Sequence, residues 1–136
     1  NNLGGLYDAA GRTEDALDAH ERLDTLLIDQ GKRQTSVFAM NSSNLALMQS
    51  DLGRYEEAEA NFLESIEVYE TTFGPEHPEL WRPNAMLARM LRGQGRAVDA
   101  VPYAERAVAL AQRHKFKTEM DEAARRNMFP SNLVKA

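Results

Sequence analysis

The chain contains no cysteine. Disulfides, thiolate nucleophiles and zinc sites built on cysteine pairs are excluded together, and a reducing compartment is compatible. Positive charge is in deficit, with 16 Lys and Arg against 21 Asp and Glu, a net charge of −5 and a pI near 5.2. That is the wrong sign for a domain whose affinity comes from neutralising phosphates, so nucleic acid is not an expected partner. No apolar run approaches the length of a membrane span, and the first residues carry neither the basic stretch nor the apolar core of a secretion signal. The expectation is a soluble, cytoplasmic protein with no membrane partner. Eight Gly and five Pro in 136 residues are too few for a fibrous or disordered chain, and 43% apolar with 27% charged residues describes an ordered globular domain. Histidine is scarce as well: His20, His77 and His114 stand apart, and none has a partner at metal-ligand or triad spacing. No metal, cofactor or catalytic residue is expected, and the chain does not read as an enzyme.

What the sequence does have is a period. Leu3, Leu45 and Leu87 recur at an interval of forty-two, as do Gly11, Gly53 and Gly95, then Arg12, Arg54 and Arg96, then Ala16, Ala58 and Ala100. A fixed interval of tens of residues marks a repeat array, in which each unit buries its apolar face only by stacking on its neighbours. The glycine of each unit suits the left-handed turn that ends a helix, which predicts helical hairpins. Leading helices are expected over 1–10, 35–51 and 80–92, and trailing helices over 13–30, 55–73 and 97–114. In the second trailing helix Ala58, Phe62, Ser65, Ile66 and Tyr69 fall at three- and four-residue spacing and form one stripe facing the stack. Ala16, Ala58 and Ala100 allow close helix approach, and Leu6, Met48 and Met90 share a register that reads as core filler. His20 falls on the trailing-helix packing register and reads as a core or edge histidine, while His77 reads as a turn residue. Pro83 and Pro102 predict local kinks or late helix starts. After Lys117 the period fails, and residues 118–128 read as one more helix capped by Thr118, with Pro130 barring a complete fourth unit. The predicted organisation is a repeat array over 1–117, in units of about 1–34, 35–78 and 79–117, followed by a cap helix and tail over 118–136. Opening at Asn1, inside the first leading helix, the sequence reads as a piece of a longer protein.

The register Leu3, Gly4, Tyr7, Gly11 and Ala16, echoed by Leu45, Ala46, Gly53, Ala58 and Phe62, resembles the tetratricopeptide repeat. The forty-two-residue spacing, the segment Gly74-Pro75-Glu76-His77-Pro78, and the runs 43–47 and 53–59 are similar to the kinesin light chain subclass. The likeness covers residues 1 to about 116 and departs at Ala85-Met86, where the subclass carries paired asparagines, and after unit one, which has no Gly-Pro-x-His-Pro segment. It implies an all-α, right-handed superhelical solenoid of about three helix-turn-helix repeats with a C-terminal capping helix. It also implies a noncatalytic protein–protein interaction module whose leading helices line a concave groove for a peptide segment of a partner.

Mapped onto this sequence, that groove takes Asn1, Gly5 and Asp8 from unit one, Met40, Ser43, Asn44, Leu47, Ser50 and Asp51 from unit two, and Arg82, Ala85, Arg89 and Arg92 from unit three. Asparagine donates and accepts at once and so suits a peptide backbone. Asn2 and Asn44 are equally open to bonding a neighbouring helix. Arg82, Arg89 and Arg92 share a helix face, and the implied register turns that face to the groove, where it would pair with acidic residues of the partner. A solvated outer face is the other reading. Asp8 and Asp51 at the other end would give the groove a charge gradient. Trp81 is either an exposed anchor or, more commonly for a lone Trp, a side chain packed across a repeat junction. Asn44 and Arg82 match the carboxylate clamp of some tetratricopeptide cochaperones. Asn1, Gly5 and Met86 do not, so recognition of a terminal carboxylate is not expected. A rival from another class is a structural spacer or self-association segment of a larger bacterial-type signalling or sensor protein, with array ends pairing between copies.

Overall fold

A computed structural model describes residues 2–128, with the side chains of residues 11–126. Five α-helices account for almost all of it, with no strand among the described residues: α1 (Asn2–Asp29), α2 (Ser36–Asp51), α3 (Tyr55–Phe73), α4 (Trp81–Gly93) and α5 (Ala97–Met128). A 3-10 turn, Pro78–Leu80, leads into α4. The expected all-α repeat architecture is present. α2 pairs with α3 and α4 with α5 as hairpins, α1 packs on α2, and α3 packs on α4.

The turns follow from local chemistry. Gly53 and Gly95 adopt φ of 77° and 79°. Beyond them the amides of Arg54 and Arg96 reach back to the carbonyls of Gln49 and Leu91, both at 2.8 Å, in the bond that closes a helix over a left-handed residue. α2 opens on Thr35, whose hydroxyl accepts from the Phe38 amide at 3.2 Å. Pro83 sits in the first turn of α4, where its missing N–H is no loss. Pro102 lies inside α5, which nevertheless starts at Ala97 as expected. The carbonyl it leaves unbonded belongs to Val98, an exposed residue open to water.

Two boundaries differ from the sequence-based expectation. Gly11 is no turn: α1 runs unbroken through it, so unit one is a single long helix instead of a hairpin. Ala9-Ala10 precede that glycine where Asp51-Leu52 and Gly93-Gln94 precede the other two, and alanine is the strongest helix former. Nor does a separate cap helix begin at Thr118. Its hydroxyl donates to the His114 carbonyl at 3.0 Å from within α5, which continues without a break to Met128. A contrast between glycines checks the first point. Gly11→Ala, with nothing within 4 Å of the added Cβ, is expected to raise stability by up to about 1 kcal/mol, whereas Gly53→Ala, forced to a positive φ, is expected to lower it by about 1 kcal/mol or more. Urea unfolding of both variants measures the two signs.

The core runs through both hairpins. Phe38, Phe62, Leu80 and Leu87 are wholly buried, and Ala39, Ala46, Ala58 and Ala100 let the helices close on them. Between α2 and α3 the Ser43 and Ser65 hydroxyls share a bond of 2.6 Å, and Ser65 also reaches the Ala39 carbonyl. One period on, the same two positions are Ala85 and Ala107, so the pair is polar or apolar as a unit and neither hydroxyl is orphaned. Units are tied by the recurring turn arginines, Arg54 to Glu14 at 3.0 Å and Arg96 to Glu59 at 2.8 Å. Bonds to Glu59 and then Asp99 push the Arg96 pKa above its ordinary range.

Between α1 and α2, His20 and Asn41 bond through their side chains at 2.5 Å, and Asn41 also donates to the His20 carbonyl, which makes His20 the edge histidine anticipated. Asp24, one turn along, has a buried Oδ1 without a hydrogen-bond partner. Burial raises its pKa, opposed in part by Asn41 and Arg33. A carboxyl whose folded pKa is raised holds its proton more tightly when folded, so its penalty is full at neutral pH and is relieved as pH falls through the raised value toward the ordinary one. Asp24→Asn is therefore expected to stabilise the fold at pH 7 by less than about 1 kcal/mol, the group being partly exposed, and to lose that advantage near pH 4. Thermal melts at the two pH values compare the variant with the parent.

Candidate functional site

α2 and α4 run side by side, and the surface between them holds three recesses that share lining residues. The first, only about 10 Å³, lies among Met40, Ser43, Asn44, Tyr69, Glu79 and Arg82. Arg82 also lines the second, of about 240 Å³, with Trp81, Ala85, Met86 and Arg89. Met86 and Arg89 pass on to the third, of about 220 Å³, where they meet Leu47, Ser50, Asp51 and Phe62. The three form one trough along α2 and α4. A larger hollow of about 430 Å³ adjoins the third recess at Tyr55, over the turn at Gly53–Glu57 and Gln94. Its walls are the exposed residues of that turn, among them Arg54, which is already paired with Glu14.

Nine of the thirteen expected groove residues line this trough: Met40, Ser43, Asn44, Leu47, Ser50, Asp51, Arg82, Ala85 and Arg89. Arg92 is exposed but lines none of the recesses. Asn1 lies outside the described residues, and Gly5 and Asp8 fall within α1 with their side chains, like that of Asn2, outside them. Ser43 is present in the wall, yet its hydroxyl is turned to Ser65 and already bonded. Asp51 does not stand apart from the arginines, because it shares a recess with Arg89. Acid and base thus face each other across that recess.

The arginines differ in their bonding. Arg22, Arg33, Arg54, Arg96, Arg106 and Arg113 each have a carboxylate partner. Arg82, Arg89, Arg92, Arg125 and Arg126 have none among the described residues, although all five are exposed. Asn44, half-buried, makes no side-chain hydrogen bond to another described residue, so its amide is available in the trough. Tyr69 contributes a phenol whose pKa is raised by burial and by Glu79, which keeps it a donor. Its ring is fixed by stacking on His77 at 5.4 Å. His77 is the expected turn residue: its Nδ1 accepts from the Glu79 amide at the start of the 3-10 turn.

Trp81 was the least legible member. It is not packed across a junction but stands 44% exposed at the head of α4, forming one wall of the second recess. Its place next to Arg82 was the available signal. Tyr69 and Phe62 reach the trough from α3, whose apolar stripe reads equally as stacking surface. Among the described residues no three acidic, histidine or cysteine side chains converge as a metal site, and no helix is long and apolar enough to cross a membrane.

No curated protein matches the chain. The family model described as Tetratricopeptide repeat matches residues 36–113, which span α2 through most of the packed part of α5. Repeats of this kind are noncatalytic and generally mediate protein–protein interaction. With the matched residues covering more than half of the sequence, the chain belongs to the tetratricopeptide repeat family.

Proposed function

We propose that this chain grips an extended, carboxylate-bearing peptide segment of a partner protein in the trough between α2 and α4. The observation that carries this reading is that Arg82 and Arg89, which line the trough, have no carboxylate partner among the described residues, whereas Arg22, Arg33, Arg54, Arg96, Arg106 and Arg113 each have one. A guanidinium without an internal partner is ready for a bidentate bond to a carboxylate that arrives from outside. Asn44 would hold the peptide backbone between them, and the face of Trp81 with Met86 would take an apolar side chain. We read the chain as of the kinesin light chain type from its forty-two-residue spacing and its Gly74–Pro78 segment.

Trp81 is the chain's one tryptophan, so binding has a built-in reporter. Titration with a library of extended peptides that differ in the number of Asp and Glu is expected to shift Trp81 emission to the blue for the acidic members, with affinity that weakens as salt is added. If no acidic peptide perturbs Trp81, or neutral peptides do so equally, the reading fails.

A further inference from the structure

The geometry points to a second docking surface, independent of the trough: the far half of α5 pairs antiparallel with the same helix of a second copy of this chain. From Lys115 to Arg126 every side chain is exposed except that of Ala123, which is half-buried. Phe116 is 63% exposed and Met120 55%. Together with Val101, Val108 and Ala123 they fall at helical spacing along one side of α5. A projecting helix of this length gains little from propensity alone and is ordinarily held by packing of its apolar side.

Charge selects the occupant. Lys115 and Lys117 make one turn of α5 basic and Glu119, Asp121 and Glu122 make the next acidic, between Arg113, which is paired with Glu76, and Arg125 and Arg126 near the helix end. The segment is therefore complementary to its own reverse. Two copies laid antiparallel and centred between Thr118 and Glu119 set the basic half of each against the acidic half of the other. In that arrangement Phe116 packs beside the partner's Met120 and the partner's Ala123, and Lys115 faces the partner's Glu122. The symmetry is two-fold and closed, so it ends at a dimer.

Sedimentation equilibrium of the whole chain between about 1 and 200 μM is expected to show a concentration-dependent dimer. Phe116→Glu is expected to leave a monomer that keeps the α1–α4 helicity. Lys115→Glu weakens the dimer, and the swapped pair Lys115→Glu with Glu122→Lys restores it. Because the chain has no cysteine, single introduced thiols report the orientation. Glu119→Cys is expected to form a disulfide-linked dimer under mild oxidation, whereas Glu105→Cys, whose counterpart would lie about 40 Å away, is not. A parent chain that stays monomeric over the whole range, a Phe116→Glu variant that still dimerises, or equal cross-linking at both thiols would each overturn the proposal.

Discussion

Truncation of Phe62 to alanine is expected to cost about 3–5 kcal/mol of folding free energy, a large share of the roughly 5–15 kcal/mol that holds a domain of this size together. Phe62 is wholly buried in α3, the helix that packs on both α2 and α4. Removing its ring leaves a void between two hairpins, at a position where α3 is packed on both sides and has little room to collapse. The equivalent position of unit three is Ala104, but there the neighbouring Tyr103 supplies the aromatic bulk against the core, where unit two has Asn61. Tolerance of alanine in one unit therefore does not transfer to the other. Phe62 also lines the third recess, so the variant is expected to lose peptide binding together with stability. Urea unfolding, with the slope compared to the parent, measures the cost. A loss below about 1 kcal/mol would mean that the void is refilled and that the stack is looser than its burial pattern indicates.

Reversing the charge of the trough is expected to abolish binding without touching the fold. Charge-assisted bonds are worth about 1.5–3 kcal/mol each, so replacing both Arg82 and Arg89 with Glu removes about 3 kcal/mol or more and adds repulsion, for a loss of at least about 100-fold in affinity for an acidic peptide. Neither arginine has a partner inside the described structure, so helicity and melting temperature should hold. Arg22→Glu, on the exposed side of α1, makes the same change in net charge as Arg89→Glu alone and is the control for that single variant, expected to shift affinity only slightly. Retained binding by the double variant, followed through Trp81, would move the site off α4.

Much of this fold was legible in the spacing of a few residue types. Thr35 caps α2, Gly53 and Gly95 turn two hairpins, and the stripe from Ala58 to Tyr69 is buried as its period requires. The same register misplaces a turn at Gly11, because periodicity reports where a glycine falls and says nothing of the Ala9-Ala10 pair that carries the helix through it. It also misplaces an end at Thr118, where a hydroxyl that can cap a helix bonds a carbonyl within one instead. In the trough, the register that the resemblance implies names Asn44, Leu47, Arg82 and Arg89, and these line its recesses. It did not reveal that Ser43 spends its hydroxyl on Ser65, nor which arginines lack carboxylates, because both depend on what a neighbouring helix presents.

The linkers ahead of α2 and α4 are latched to the following trailing helices with the signs exchanged, at Glu64 and Arg106 one period apart on the helices and, on the linkers, at Arg33 and at Glu76, which falls one residue past the equivalent of Arg33. Arg33 meets Glu64 at 3.2 Å, while in the next unit Glu76 meets Arg106 at 3.9 Å and Arg113 at 2.9 Å. Exposed pairs of this kind add at most about 1 kcal/mol to stability, so their weight lies in discrimination. A slip by one whole unit would bring Arg33 up against Arg106 and Glu76 against Glu64, two repulsive encounters in place of two attractive ones. Modules that look interchangeable are in this way keyed to a single order, and an artificial array that duplicated or shuffled them would have to recode the latch at each new seam.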